Sequence, residues 1–115
     1  SSDLACRYGG EEFCVILPNT ALRAAVTVAE HIRRAVMTKE LVKRSTGEHL
    51  GRITISIGVA TYKTGDCVTS MIERADACLY AAKHGGRNRV VCETDPEATG
   101  VPIAAVKEKR APKVA

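Results

Sequence analysis

The spacing of apolar and polar residues changes period several times along the chain, and each change marks an element. Ala5 to Tyr8 and Phe13 to Leu17 read as two strands joined by a Gly9-Gly10 turn. The second of them, "FCVIL", is apolar throughout, as expected of a strand covered on both faces. Pro18 ends it, and Asn19 or Thr20 is placed to cap the next helix. In that helix Leu22, Ala25, Val26, Ala29, Ile32 and Val36 recur at steps of three and four to about Met37, which defines one apolar face. The polar segment "TKELVKRSTGEHLG" reads as a loop or a short ribbon.

Strict alternation then returns over Arg52 to Tyr62, with Ile53, Ile55, Ile57 and Val59 on one face and Thr54, Ser56, Gly58 and Ala60 on the other. The small residues of the second face allow close approach of a helix or a ligand. After a turn at "KTGD", Thr69 is placed to cap a second helix. Its buried side is read as Met71, Ile72, Ala75, Cys78, Leu79 and Ala82, and Gly85-Gly86 ends it. "NRVVC" is a last short strand, and the order is β-β-α-β-α-β. A ferredoxin-like or palm-type sheet runs β-α-β-β-α-β, with its first strand lying centrally. The chain thus starts at what would be the second strand. A missing central strand leaves sheet groups unpaired, at about 1–3 kcal/mol for each buried one, so residues 1–92 are not expected to fold stably alone.

Composition narrows the picture. With 115 residues the chain is one small domain at most. The stretch after Cys92 carries three of the four prolines and no periodic pattern, and reads as a flexible tail over 93–115. Acidic and basic residues balance there, so residues 1–92 carry the whole net charge of +4. That mild excess suits an anionic small ligand and falls short of a nucleic-acid stripe. The densest basic run, from Arg33 to Arg52, reads as a solvated face. Five cysteines, odd in number and without C-x-x-C spacing, argue for a reducing compartment and against a disulfide framework or a zinc site. No apolar run is long enough to cross a membrane and no signal peptide opens the chain, so the expected location is cytoplasmic.

Two clusters carry candidate chemistry. In "RYGGEEF", Glu11 and Glu12 come directly after the glycine pair. A carboxylate at a hairpin tip suits Mg²⁺, which takes one or two carboxylates plus substrate phosphates. A preceding glycine lets a nucleotide approach the backbone. Successive strand residues point to opposite faces, so one glutamate faces the site and the other supports it or a second ion. The competing reading makes both of them solvated charges guarding an edge strand. In "YAAKHGGRNRV", Lys83 and Arg87 flank a helix stop, placed to converge on a phosphate chain. Alternatively they merely complement the helix dipole. Arg89 reads as a surface charge.

Taken together, "RYGGEEF" with "CVILPNT" after it, then "ITISIGVA" and "ERADACLYAAKHGGRNRV", resemble a GGDEF domain of the diguanylate cyclase family, especially its response-regulator branch. The resemblance runs from about Asp3 to Val91. It implies an α+β fold, a ferredoxin-like/palm-type (nucleotide cyclase-like) sheet with helices, of which residues 1–92 are the C-terminal portion and the N-terminal part is missing. It also implies condensation of two GTP into cyclic di-GMP with release of two pyrophosphates, by a head-to-head homodimer using Mg²⁺ (or Mn²⁺). By the same resemblance Glu11 binds the metal and activates the attacking hydroxyl, Glu12 supports metal binding or charge, Gly9 and Gly10 lie beside the nucleotide, and Lys83 and Arg87 contact the triphosphate. Asp3 matches the aspartate of the R-x-x-D inhibitory product site, whose arginine would precede Ser1, and His31 stands where a further arginine contributes to that site. The family's other metal-binding aspartate and its guanine-reading residues belong to the half before the hairpin, so the isolated chain is expected to be inactive. The alternative is a non-catalytic nucleotide or cyclic di-GMP sensor on the same fold. An RNA-binding domain ranks last, because Tyr8, Phe13, Tyr62 and Tyr80, the only aromatics, form no stacking pattern.

Overall fold

The computed structural model describes residues 3–9, 12–42 and 45–99. Strands β1 (Leu4–Gly9) and β2 (Glu12–Ile16) form an antiparallel hairpin, helix α1 (Leu22–Met37) comes next, and β3 (Glu40–Val42) and β4 (His49–Arg52) make a small ribbon. Strand β5 (Ile57–Val59), helix α2 (Val68–His84) and strand β6 (Val90–Cys92) form a parallel βαβ unit, and a single turn, α3 (Pro96–Thr99), ends the described chain. Among the described residues the three strand pairs remain separate sheets.

The βαβ unit holds the core. Side chains of successive strand residues alternate between faces, and the two faces of the β5–β6 pair are covered by different helices. Val59 and Cys92 pack with Ala25 and Ala29 of α1, supported by Ile57, Val90, Leu17, Leu22 and Val26. Val91, adjacent to Cys92 in sequence, packs instead with Cys78, Ala81 and Ala82 of α2 and with Ala98 of α3. The small-residue face of the alternating segment admits a helix. At Gly58 a Cβ would overlap the Ala75 carbonyl oxygen and the Leu79 amide nitrogen, so α2 lies directly on the strand backbone. Burial of Cys78 in this contact pushes its thiol up to about 12, which makes it an inert packing group.

Several expectations are corrected by this arrangement. The strand expected over 52–62 is laddered only at Ile57–Val59, because β6 offers just three partners, and Arg52 belongs to β4. On α2, Ala77 and Ala81 are buried alongside Cys78 and Ala82, while Met71, Ile72, Ala75 and Leu79 are only partly so. Ala81 is buried in a cluster with Cys78, Ala82 and Val91 that Ala98 of α3 packs against. Neither helix starts as read. Ala21 is the N-cap of α1, with the Thr20 hydroxyl turned back to the Pro18 carbonyl. Cys67 is the N-cap of α2, where Ser70 Oγ accepts the Cys67 N–H. The strand "FCVIL" is not covered on both faces. Phe13 is 74% exposed, and Val15 and Ile16 about half.

Residues 93–99, part of the stretch read as a tail, make contacts with the βαβ unit. Glu93 sits in an ion-pair network that ties the end of β6 to the start of α2. Arg74 donates to Glu93 through Nε (2.9 Å), to both Asp66 carboxylate oxygens (2.7 and 2.6 Å), and to the Thr61 carbonyl (2.5 Å). Thr61 Oγ1 donates to Glu93 Oε1 at 2.9 Å, and Lys63 Nζ lies 3.9 Å from Glu93 Oε2. Asp95 then accepts the Cys92 N–H, leading into α3. Residues 100–115 lie outside the described residues.

Hydrogen bonds from Arg74 and then Ser70 hold the Asp66 carboxyl far below its ordinary value of 3.8. Burial opposes ionisation of Glu93, but bonds from Arg74 and Thr61 outweigh it and keep that carboxyl below 4.5. Both groups therefore take up protons in the unfolded chain before they do in the folded protein, so the network stabilises above the unfolded values and its contribution fades as pH falls through the folded ones. Thermal midpoints across a pH series should drop on the acid side of about 4.5, and Arg74→Met should be less stable near neutrality with a shallower acid fall. Independently, Gly58→Ala should destabilise the fold by about 1–3 kcal/mol in denaturant titration, because α2 must shift to admit the methyl group.

Candidate functional site

The two sequence clusters meet at one end of the molecule. In the hairpin, residues opposite one another share a face, so Arg7, Phe13, Ala5 and Val15 lie on one side and Cys14, Ile16 and Leu4 on the other. The register shifts between Arg7 and Gly9, a bulge that increases local twist and re-aims the strand end beyond it. Gly9 is itself paired with Glu12 and so belongs to β1. Gly10 and Glu11, the other residue of the expected turn and the first candidate carboxylate, lie outside the described residues.

Glu12 is half-buried, and its Oε1 lies 4.0 Å from Lys83 Nζ in the last turn of α2. At that distance, with both side chains about a third exposed, the pair contributes little to stability, on the order of 0–1 kcal/mol. What it records is proximity: a hairpin carboxylate and a helix-terminal ammonium share one edge of the molecule. Helix α2 ends in a Schellman turn. Gly85 is the C-cap with its N–H on the Ala81 carbonyl, Gly86 comes next at φ +117°, and the Arg87 N–H bonds back to the Ala82 carbonyl at 3.0 Å. Arg87 and Asn88 continue in the left-handed region, at φ 62° and 48°. That conformation costs an ordinary residue about 1–2 kcal/mol, though asparagine tolerates it better than arginine. The turn leaves the Arg87 side chain exposed, just beyond the helix end that carries Lys83.

Three residues near this turn differ from what the sequence pattern suggests. Arg89 is not a plain surface charge. Its guanidinium folds back over the helix end, so that a Cβ on Gly85 would fall 2.7 Å from its Nη1, and it pairs with Glu97 at 3.7 Å. Asn88 and Arg33 are bonded to each other across 55 positions of sequence, with Arg33 Nη1 donating to Asn88 Oδ1 at 3.0 Å. Arg33 opens the basic run that reads as a solvated face, yet its side chain is only 16% exposed. The one local signal is its helical position, a residue after Ile32 of the apolar stripe, which places it at the margin of the buried face. Asp3 is exposed at the start of β1, and His31 is exposed on α1.

Glu12 offers hard oxygen donors, but among the described residues no three His, Cys, Asp or Glu side chains gather to hold a metal ion. Gly86→Ala should lower stability by about 1–2 kcal/mol in thermal or denaturant unfolding, since alanine resists the positive φ that the turn requires.

The family model for "Diguanylate cyclase, GGDEF domain" matches residues 1–89. Diguanylate cyclase VdcA of Vibrio cholerae is 47% identical over 87 residues, covering 76% of this chain and 26% of VdcA. Response regulator PleD of Caulobacter vibrioides is 49% identical over 90 residues, covering 77% of this chain and 20% of PleD. The chain thus spans about a quarter or less of these curated relatives. The solved GGDEF domain of DgcB from Caulobacter crescentus, in complex with c-di-GMP, superposes with a TM-score of 0.79 at 49% identity, over 81% of this chain and 53% of that one. A match across this much of the chain, joined to a hairpin carboxylate facing the cationic end of α2, makes the protein a member of the GGDEF diguanylate cyclase family.

Proposed function

We propose that these residues form the hairpin and phosphate-binding side of a diguanylate cyclase catalytic domain, which condenses two GTP into cyclic di-GMP. The observation that carries the reading is the approach of Lys83 to Glu12, which brings the two chemistry-bearing motifs to one edge. Lys83 supplies a point charge and Arg87 a planar fork for the triphosphate of GTP. Gly9 and Gly10 leave the nucleotide room beside the hairpin. Glu11 and Glu12 are the residues that would hold Mg²⁺ (or Mn²⁺), which when bound neutralises charge on the attacking and leaving oxygens. Glu11 takes the proton of the 3′-hydroxyl. That oxygen then attacks the α-phosphorus of the GTP presented by the second subunit, and pyrophosphate leaves. The reciprocal attack closes the ring. Asp3 belongs to the inhibitory product site. The cysteine usage supports a cytoplasmic location, and the mild charge excess supports a small anionic ligand rather than a nucleic-acid partner.

The 115 residues alone are expected to yield no cyclic di-GMP from GTP and Mg²⁺, because the opposing carboxylate and the guanine contacts lie in the other half of the domain. Chromatographic detection of cyclic di-GMP from the purified chain would overturn this. Within a complete domain, Glu11→Ala should reduce synthesis at least a hundredfold, on the scale of removing a catalytic proton acceptor. Retained turnover removes Glu11 from the chemistry, and nucleotide binding with no turnover by the unsubstituted domain would favour the sensor reading.

A further inference from the structure

We propose that Arg33 of α1 is a positioning residue for the phosphate contact of Arg87, and that it acts through Asn88. The inference rests on the nucleotide reading of Arg87 above and adds the device that holds it in place. Arg87 and Asn88 are consecutive non-glycine residues with positive φ, a backbone that local preferences do not favour and that its surroundings must therefore enforce. Apart from the Arg87 N–H bond back to the Ala82 carbonyl, the enforcing contacts fall on Asn88. Its N–H donates to Ser56 Oγ at 3.2 Å, its Nδ2 reaches the Met37 sulfur at 3.5 Å, and its Oδ1 accepts from Arg33 Nη1 at 3.0 Å. Beyond it, the Arg89 carbonyl accepts the Ile57 N–H at 2.9 Å, which locks the next residue to β5.

Arg33 is itself held. Glu30, one helical turn earlier, accepts from its Nε at 3.2 Å and its Nη2 at 2.9 Å. That leaves Nη1 directed at Asn88, so the guanidinium has a fixed rather than a searching geometry. A charge-assisted bond from a helix already packed on β5–β6 thus pins the residue next to Arg87. None of these contacts reaches the Arg87 side chain, which stays exposed. Loss of Arg33 should therefore loosen the direction of Arg87 without removing any phosphate ligand.

The test is a double-mutant cycle on GTP affinity, measured by titration calorimetry with Mg²⁺ in a protein carrying these residues within a complete GGDEF domain. Arg33→Met keeps the length of the side chain and should weaken GTP binding about fivefold to tenfold. Asn88→Gly keeps the positive φ accessible while deleting the acceptor, and should show a similar loss. Arg87→Ala should weaken binding at least as much, and adding Arg33→Met to it should change nothing further, because Arg33 works only through Arg87. Full additivity of the two losses, or unchanged affinity in Arg33→Met and Asn88→Gly beside a weakened Arg87→Ala, would overturn the inference alone. Unchanged affinity in Arg87→Ala would overturn the phosphate role of Arg87, and the inference with it.

Discussion

The arrangement depends on one close approach, that of α2 to the backbone of β5 at Gly58. With no Cβ at this position, the Ala75 carbonyl and the Leu79 amide come against the strand, and the whole length of α2 is set relative to the sheet. Val91 and Cys78 fill the same contact almost completely, and close-packed interiors of this kind do not deform gradually. Everything at the two ends of α2 inherits its place from this contact. At one end Arg74 meets Asp66 and Glu93; at the other, Lys83 meets Glu12 and the chain turns through Gly86 to Arg87.

The two ionic clusters on α2 differ in kind. Around Arg74 all three guanidinium nitrogens donate, the two carboxylates are 8% exposed, and distances are those of charge-assisted hydrogen bonds. Such a cluster holds structure and leaves nothing over for a ligand. Lys83 and Glu12 stand 4.0 Å apart, each about a third exposed, a loose pair that water and ions can enter.

The hairpin presents a further contrast. One helix covers each face of β5–β6, whereas Phe13 and Val15 share a hairpin face that remains open within the described residues. The chain covers 53% of the solved DgcB chain that it superposes on.

Period and punctuation alone determined most of the elements. The stripe from Leu22 to Val36, the alternation around Gly58 and the glycine stop after His84 each encode a local geometry, because side-chain spacing and allowed φ are properties of neighbouring residues. The motif residues Glu12, Lys83 and Arg87 were legible for the same reason, being short-range patterns. What only the tertiary structure decided involves partners far apart in sequence. Arg33 has the local pattern of a basic surface, and only the fold sets Asn88 beside it; Glu93 has the pattern of a tail, and only the fold brings Arg74 to it from α2. The exposure of "FCVIL" is of the same type. Burial is set by what lies opposite a strand, and no local pattern of apolar residues specifies that.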